Sequence, residues 1–503
     1  MKMIIDLSRL SSCLPLLVLL VICSCNSLNG QRERNERNGQ RETDERPNII
    51  FIIADDVGWD DIGCYGNPAV RTPEIDRIAG QGIRFDNAYL TASSCSPSRN
   101  SIISGRYPHN TGAAELHIPL PEDQIPFPLL LKESGYYTVQ SGKTHFGEPA
   151  LRAFDQVYEM EDAGTGGEER WVRCLAERPK DKPFFAWFAA KDAHRPWHAD
   201  GFGTPHDPAE VIVPPYLADT EATRKDIASY YNEITRFDYY IGEVVKELQR
   251  QGIEENTLLM ILSDNGSPFP RGKTRVYDSG MKTPLVIKWG RGIAQPGGVS
   301  NSLVSVIDIA STLLEIAGVV PNKGIQGQSF TGLLKDPGTE HRQFVFSEHN
   351  WHDYEAHERM VRSKDFLYVL NSRPNLSNHG PADSNRSPSF MDLKDLRDRG
   401  ELTHAQNDIF MVPRPREELY DCTTDPMQIA NIASLPQYEK DLKNMREEME
   451  RWRAETQDNT PDELTKDWFD RETGKRLAED KHTRGEMPGI GTGATKTAGI
   501  NNP

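Results

Sequence analysis

Apolar positions along this chain fall in blocks. Asn48–Ala54 (NIIFIIA) is a continuous, β-rich apolar run that stops abruptly at Asp55-Asp56, and such runs suit a strand covered on both faces at the centre of a parallel sheet. Comparable runs recur at residues 137–140, 184–190, 257–262 and 284–288, interleaved with helical periodicity over 222–251 and 303–317. Strands alternating with helices predict an α/β fold in which a large sheet carries helices on both faces.

In open α/β sheets, sites lie beyond the carboxyl ends of the strands. The residues that follow the apolar runs are therefore the candidates for chemistry: Asp55 and Asp56, Lys143 and His145, Asp192 and His194, and Asp264 and Asn265. Past about residue 340 the pattern changes to shorter strand-like pieces at 344–347 and 366–370, a polar stretch rich in Pro, Asn and Ser at 372–390, and a charged helix over 435–455. This predicts a main domain over 47–340, a smaller C-terminal α+β subdomain over 341–480 and a disordered low-complexity tail over 481–503.

The leader changes the picture. Lys2 and Arg9 precede an apolar stretch from Leu14 to Ile22 that is short for a membrane span, followed by Cys23-Ser24-Cys25-Asn26. This reads as an export signal over residues 1–25 of lipoprotein type, with Cys25 as the lipidated residue and Cys23 as its rival. A charged linker over 26–46 follows. The expected location is the bacterial cell envelope, the membrane being reached only through a lipid anchor, with plain secretion as the alternative.

A net charge of -17 argues against nucleic-acid partners, which are held by excess Lys and Arg. Of seven cysteines, three lie in the leader, and the remaining Cys64, Cys95, Cys174 and Cys422 are too scattered for a disulfide framework. One of them is thus free for chemistry.

That cysteine is Cys95, in Ser94-Cys95-Ser96-Pro97-Ser98-Arg99, with Ser104-Gly105-Arg106 following. Pro97 suits the first turn of a helix, so Cys95 sits at a helix N-terminus, where unpaired N–H groups and the dipole favour an anion. The motif resembles the signature of type I sulfatases, in which Cys-x-Pro-Ser-Arg directs a formylglycine-generating maturation enzyme to oxidise the cysteine to formylglycine (3-oxoalanine). The resemblance runs from about Pro47 to Asp458. It implies an alkaline-phosphatase-like fold with a large mixed sheet, and one calcium ion on Asp55, Asp56, Asp264, Asn265 and the modified Cys95. Oxygen ligands alone suit a hard cation better than zinc.

The resemblance further implies catalytic roles for Cys95, Arg99, Lys143, His145, His194 and Lys273. Sugar-facing side chains are expected from His117, His352, His357 and Arg359. The wording around Cys95 and in Ser263-Asp-Asn-Gly-Ser-Pro-Phe-Pro270 is closest to the heparan N-sulfatase (sulfamidase)-like branch. Two departures, Lys273 in place of that branch's Arg and the loop Ala114-Glu-Leu-His117, turn the substrate expectation towards algal O-sulfated polysaccharides such as ulvan, with heparan N-sulfoglucosamine as the alternative. Two competing classes are a phosphatase or phosphodiesterase of the same superfamily, which would call for a Thr or Ser nucleophile and two zinc ions, and a non-catalytic glycan-binding lipoprotein.

Overall fold

The computed structural model describes residues 46–497; the leader, its lipidation cysteines and nearly all of the linker lie outside the described residues. Among the described residues fourteen strands form three sheets: β1 (Asn48–Ala54), β2 (Ile83–Phe85), β3 (Ala88–Tyr89), β4 (Tyr137–Gly142), β5 (Gln156–Tyr158), β6 (Phe184–Ala189), β7 (Thr257–Ser263), β8 (Leu285–Lys288), β9 (Gly298–Ser300), β10 (Val304–Ser305), β11 (Val345–His349), β12 (Glu358–Arg362), β13 (Phe366–Asn371) and β14 (Glu417–Asp421). The large sheet has the order β5-β4-β6-β1-β7-β8-β2-β9. Its middle strands β4, β6, β1 and β7 run parallel, while β8 pairs antiparallel with β7 and β2. The sheet is therefore mixed, as the resemblance implied.

The apolar blocks explain this placement. Along β1, Ile49, Phe51 and Ile53 enter one core cluster while Ile50, Ile52 and Ala54 enter the other, all essentially inaccessible. Each large side chain so buried contributes roughly 1.5–3 kcal/mol, which only a strand covered on both faces can collect. The helix Glu221–Gln251, capped by the Thr220 hydroxyl accepting from Thr223 N, covers the second face. The predicted helix over 303–317 is shorter, Asp308–Ile316, because residues 304–306 hydrogen-bond to Asn87 and Tyr89 as a strand instead.

With β4, β6, β1 and β7 parallel and adjacent, their carboxyl ends share one edge. Gly142 makes the turn after β4: its φ is +96° and a Cβ there would lie 1.9 Å from the Ala189 carbonyl oxygen. No side chain fits that turn.

The C-terminal sheet β11-β12-β13-β14 is antiparallel throughout. The helix Glu439–Thr456 closes one face of it through Met445, Met449 and Trp452, the Trp452 ring stacking on Phe346 at 5.2 Å. Among the described residues no helix is long and apolar enough to cross a membrane.

One expectation is corrected. Residues 481–497, read as disordered coil, are packed: Ala494 is fully buried, and Arg106 donates to the carbonyls of Ala494, Thr495 and Thr497 at 3.3, 3.2 and 3.1 Å. The glycines that look like low complexity serve close approach, since a Cβ on Gly489 would lie 1.9 Å from the His109 carbonyl oxygen. Replacing Arg106 with Ala is expected to lower the unfolding free energy by about 2–3 kcal/mol and to make residues 486–497 the first site of limited proteolysis. Unchanged protection of that segment would refute the anchoring role.

Candidate active site

The signature helix α1 (Cys95–Ser104) begins at Cys95, whose side chain is buried with Sγ 3.7 Å from Asp55 Oδ1. Burial first, then the Asp55 and Asp264 carboxylates, push the thiol up to about 12, against the pull of Lys143 and Lys273. An unmodified Cys95 is therefore a neutral thiol at pH 7 and a poor nucleophile. The loop before it is tied to the segment bearing Lys273, as Thr274 N donates to the Ser93 carbonyl at 2.8 Å.

Around Cys95 the four strand ends supply alternating charge. Arg99, fully buried one turn along α1, donates from Nε to Asp264 Oδ2 at 2.7 Å and from Nη1 to the Lys143 carbonyl at 3.0 Å. Lys143 Nζ pairs with Asp55 Oδ2, and Lys273 Nζ lies 2.8 Å from Asp56 Oδ1. Burial works against ionising Asp55, yet Lys143, His194 and Arg99 override it and hold the carboxyl well below the usual range. Asp264 goes the other way: burial, with Asp55 and Asp56 adding repulsion, pushes it up to about 6 despite Arg99. Asn265 donates to Asp56 Oδ1 through Nδ2, while its Oδ1 is buried and unpartnered.

Asp55, Cys95 and Asp264 offer ligand atoms within 4.8 Å of one another, and Asp56 adjoins them, its N donating to Asp264 Oδ1 at 3.3 Å and its carboxylate accepting from Asn265. The raised Asp264 carboxyl and the orphaned Asn265 oxygen both mark unmet demand for positive charge. This donor set fits a hard divalent cation.

The histidines line the open side. His145, with φ +58°, and His117, with φ +66°, meet through Nε2 and Nδ1 at 2.9 Å. Together with Asp56 at φ +65° they are non-glycine residues in the left-handed region, a costly conformation that surrounding structure must impose. Burial and the neighbouring Lys143 push His145 down to about 2, so it is neutral and able to take a proton only transiently. His352 Nδ1 lies 2.7 Å from Ser94 Oγ. His194 donates from Nδ1 to the Arg195 carbonyl at 2.5 Å, which leaves Nε2 facing Asp56 Oδ2 at 4.0 Å and Asp383 Oδ2 at 3.7 Å.

Of the residues expected at strand ends, Asp192 stays apart, its carboxylate accepting from Arg236 at 2.6 and 2.7 Å in a buried ion pair; the others come together, as do His117 and His352. His357 and Arg359 do not join them. Arg359 is fully buried, bonded to Asp458 at 2.7 and 3.0 Å and to Asn350 at 3.0 Å, and His357 accepts from it at 3.0 Å. Their place on and beside β12 directs them into the C-terminal subdomain, an outcome that sequence spacing does not show.

Sequence reasoning misses two acids. Asp353, in the β11–β12 connection, and Asp383, in the polar stretch after β13, reach the site from the C-terminal subdomain. Neither follows an apolar run of the main sheet, so no local signal marks them. The tail also takes part: Arg484 donates to Glu115 at 2.8 Å and to the Leu116 carbonyl at 2.7 Å, bracing the loop that carries His117.

These placements make a testable contrast. Arg359→Ala, by leaving Asp458 buried without its partner, is expected to cost about 3–5 kcal/mol in chemical denaturation, whereas His117→Ala is expected to cost less than about 1 kcal/mol. Equal costs would show that the two had been wrongly sorted into frame and site.

A family model described as Sulfatase matches residues 47–163 and 169–319, and one described as N-sulphoglucosamine sulphohydrolase, C-terminal, matches 271–368. An ulvan-active sulfatase of Formosa agariphila is 29% identical over 497 residues, covering 87% of this chain and 80% of its own length. The human N-sulphoglucosamine sulphohydrolase is 31% identical over 455 residues, covering 82% and 90%. The solved structure of BT4656 in complex with its substrate D-glucosamine-2-N,6-O-disulfate superposes with a TM-score of 0.63 at 22% identity, covering 81% of this chain and 98% of that one. That last likeness establishes the fold alone.

Proposed function

The chain belongs to the sulfatase family and is a sulfatase hydrolase, and from that premise we propose that it removes sulfate from a sulfated polysaccharide or its oligosaccharides, with Cys95 converted to formylglycine as nucleophile. The observation that carries the proposal is the Cys95 environment. A thiol raised to about 12 has little nucleophilic use, yet its position at the start of a helix, ringed by Arg99, Lys143 and Lys273, is built for an anion.

Hydrated formylglycine offers two hydroxyls on one carbon. One, ionised to the alkoxide with its proton lost to solvent, attacks sulfur, forming the O–S bond as the bond to the sugar oxygen breaks; the other then loses its proton, the aldehyde reforms and sulfate leaves. A hard cation, for which calcium is the proposed choice, held by Asp55, Asp56, Asp264 and Asn265, would supply charge neutralisation at the sulfuryl oxygens. Lys143, Lys273 and Arg99 balance the three carboxylates and place their own cationic groups around Cys95. His194, whose Nδ1–H is committed to a backbone carbonyl, acts as the imidazolium, its Nε2–H protonating the leaving oxygen. His145, neutral and backed by His117, accepts the proton from the second hydroxyl.

For the substrate we favour algal O-sulfated polysaccharide of the ulvan kind, in line with the ulvan-active relatives of 29% identity and with Lys273 in place of arginine. The N-sulfoglucosamine reading is the second choice, favoured by the 31% identity to the human sulphohydrolase and by the C-terminal family match. Export and lipid anchoring through Cys25 or Cys23 remain part of the proposal, as does dependence on a maturation enzyme.

The test is sulfate release by protein co-produced with a formylglycine-generating enzyme, against ulvan oligosaccharides and heparan fragments in parallel. Cys95→Ala, and wild type left unconverted, are expected to lose at least about 10³-fold in rate, and chelation should remove activity that calcium restores. Release from heparan alone would overturn the algal reading; equal activity of Cys95→Ala would overturn the nucleophile.

A further inference from the structure

Asp383 stands where a substrate hydroxyl has to be read. It arrives on the polar stretch after β13, just ahead of the short helical turn Ser384–Arg386. Its Oδ1 is committed, accepting from Ser384 N at 2.7 Å. Its Oδ2 points at His194 Nε2 from 3.7 Å, and among the described residues it accepts no hydrogen bond. Asp383, His194 and Asp56 each place a ligand atom within 4.8 Å of the others.

Exposure separates the three. The Asp56 side chain is inaccessible whereas that of Asp383 is 24% exposed, so Asp383 occupies the mouth side of the cluster. The backbone before it is held in place, because Asp353 Oδ2 accepts from Ala382 N at 2.9 Å. Asp353 follows His352, which bonds Ser94 beside the nucleophile. One short connection therefore spans from nucleophile to Asp383.

The sulfuryl group has to lie between Cys95 and the two lysines, and the oxygen it leaves behind has to lie at His194 Nε2. A carboxylate oxygen less than 4 Å from that nitrogen, on the solvent side, faces the ring carbons next to the one that bore the sulfate. An ionised carboxylate is an acceptor only, so the group it accommodates is a donor. A neighbouring carboxylate or second sulfate would meet like charge, and a neighbouring hydrogen atom would leave Oδ2 without a partner.

We propose that Asp383 is a specificity-determining residue that accepts a hydrogen bond from the sugar hydroxyl on the carbon adjacent to the scissile sulfate. This rests on the sulfatase reading above and narrows it: the enzyme takes rings that carry a free hydroxyl there and rejects rings whose neighbouring position is anionic.

The experiment uses matured enzyme, wild type and Asp383→Ala, with thermal melting to establish folding and Asp383→Asn as the variant that keeps the turn cap through its single amide oxygen while an NH2 donor replaces the acceptor Oδ2. The probes are methyl hexoside monosulfates sulfated at each ring position, their deoxy analogues at the neighbouring carbon, and 4-methylumbelliferyl sulfate, which has no such hydroxyl. For the hexoside sulfate that wild type cuts best, Asp383→Ala is expected to lower the ratio of its kcat/KM to that of the aryl sulfate by about 10- to 100-fold, with Asp383→Asn between the two. The deoxy analogue should cost wild type a similar factor and cost Asp383→Ala less than about threefold, since the two changes delete one contact.

An unchanged ratio would show Asp383 acting only through His194 or the fold, and additive losses would show that it touches a different group; either overturns the proposal. Absence of sulfate release from every probe by wild type, with formylglycine established by mass, counts against the sulfatase reading itself. The hydroxyl contact is then decided by calorimetric binding of the same hexoside sulfates to the unconverted Cys95 protein, where additive losses or no binding overturn it.

Discussion

Everything at the site depends on keeping three buried carboxylates, Asp55, Asp56 and Asp264, at the ends of adjacent parallel strands. Alone, each would cost several kcal/mol to bury ionised. Arg99, Lys143 and Lys273 offset that cost by pairing with them one to one. The balance is incomplete: Asp264 remains raised to about 6 and the Asn265 oxygen has no partner. A site left short of positive charge in this way is prepared for a cation and for an anionic group that shares it.

The partners of this cluster come from separate parts of the chain, so the fold has to bring them to one edge. The parallel quartet β4, β6, β1 and β7 delivers Lys143, His194, the Asp55-Asp56 pair and Asp264. Loops from the antiparallel C-terminal sheet then close the mouth with His352, Asp353 and Asp383, and the tail braces His117 through Arg484 and Glu115. The division is chemical as well as spatial. In the proposed reaction the groups assigned to sulfate belong to the main domain, and those assigned to the sugar come from connections, which vary most easily without cost to the core.

Much of this arrangement is legible in the order of residues along the chain. The apolar runs predict the central strands to within a residue or two, because a strand covered on both faces has to be apolar throughout. The abrupt change to Asp, Lys, His or Asn at each end then marks the site. The boundary of the helix at Asp308 and the packing of residues 481–497 are not legible in the same way. Both turn on long-range partners, Asn87 and Tyr89 in one case and Arg106 in the other, which leave no local pattern. His357 and Arg359 mislead for the same reason: a buried ion pair with Asp458, 99 residues away from Arg359, looks like a substrate contact until its partner is seen.

The sequence by itself determined the α/β sheet, the four strand ends, the cysteine motif and hence the family, since each is written in local pattern or in a short motif whose chemistry is self-contained. Only the tertiary structure decided which charges meet, which histidines face the mouth and which are interior, and that Asp353 and Asp383 belong to the site at all. The physical reason is that pairing, burial and desolvation are properties of distances between residues far apart in the chain. Periodicity records which face a residue takes, and it carries no information about what waits on the other side.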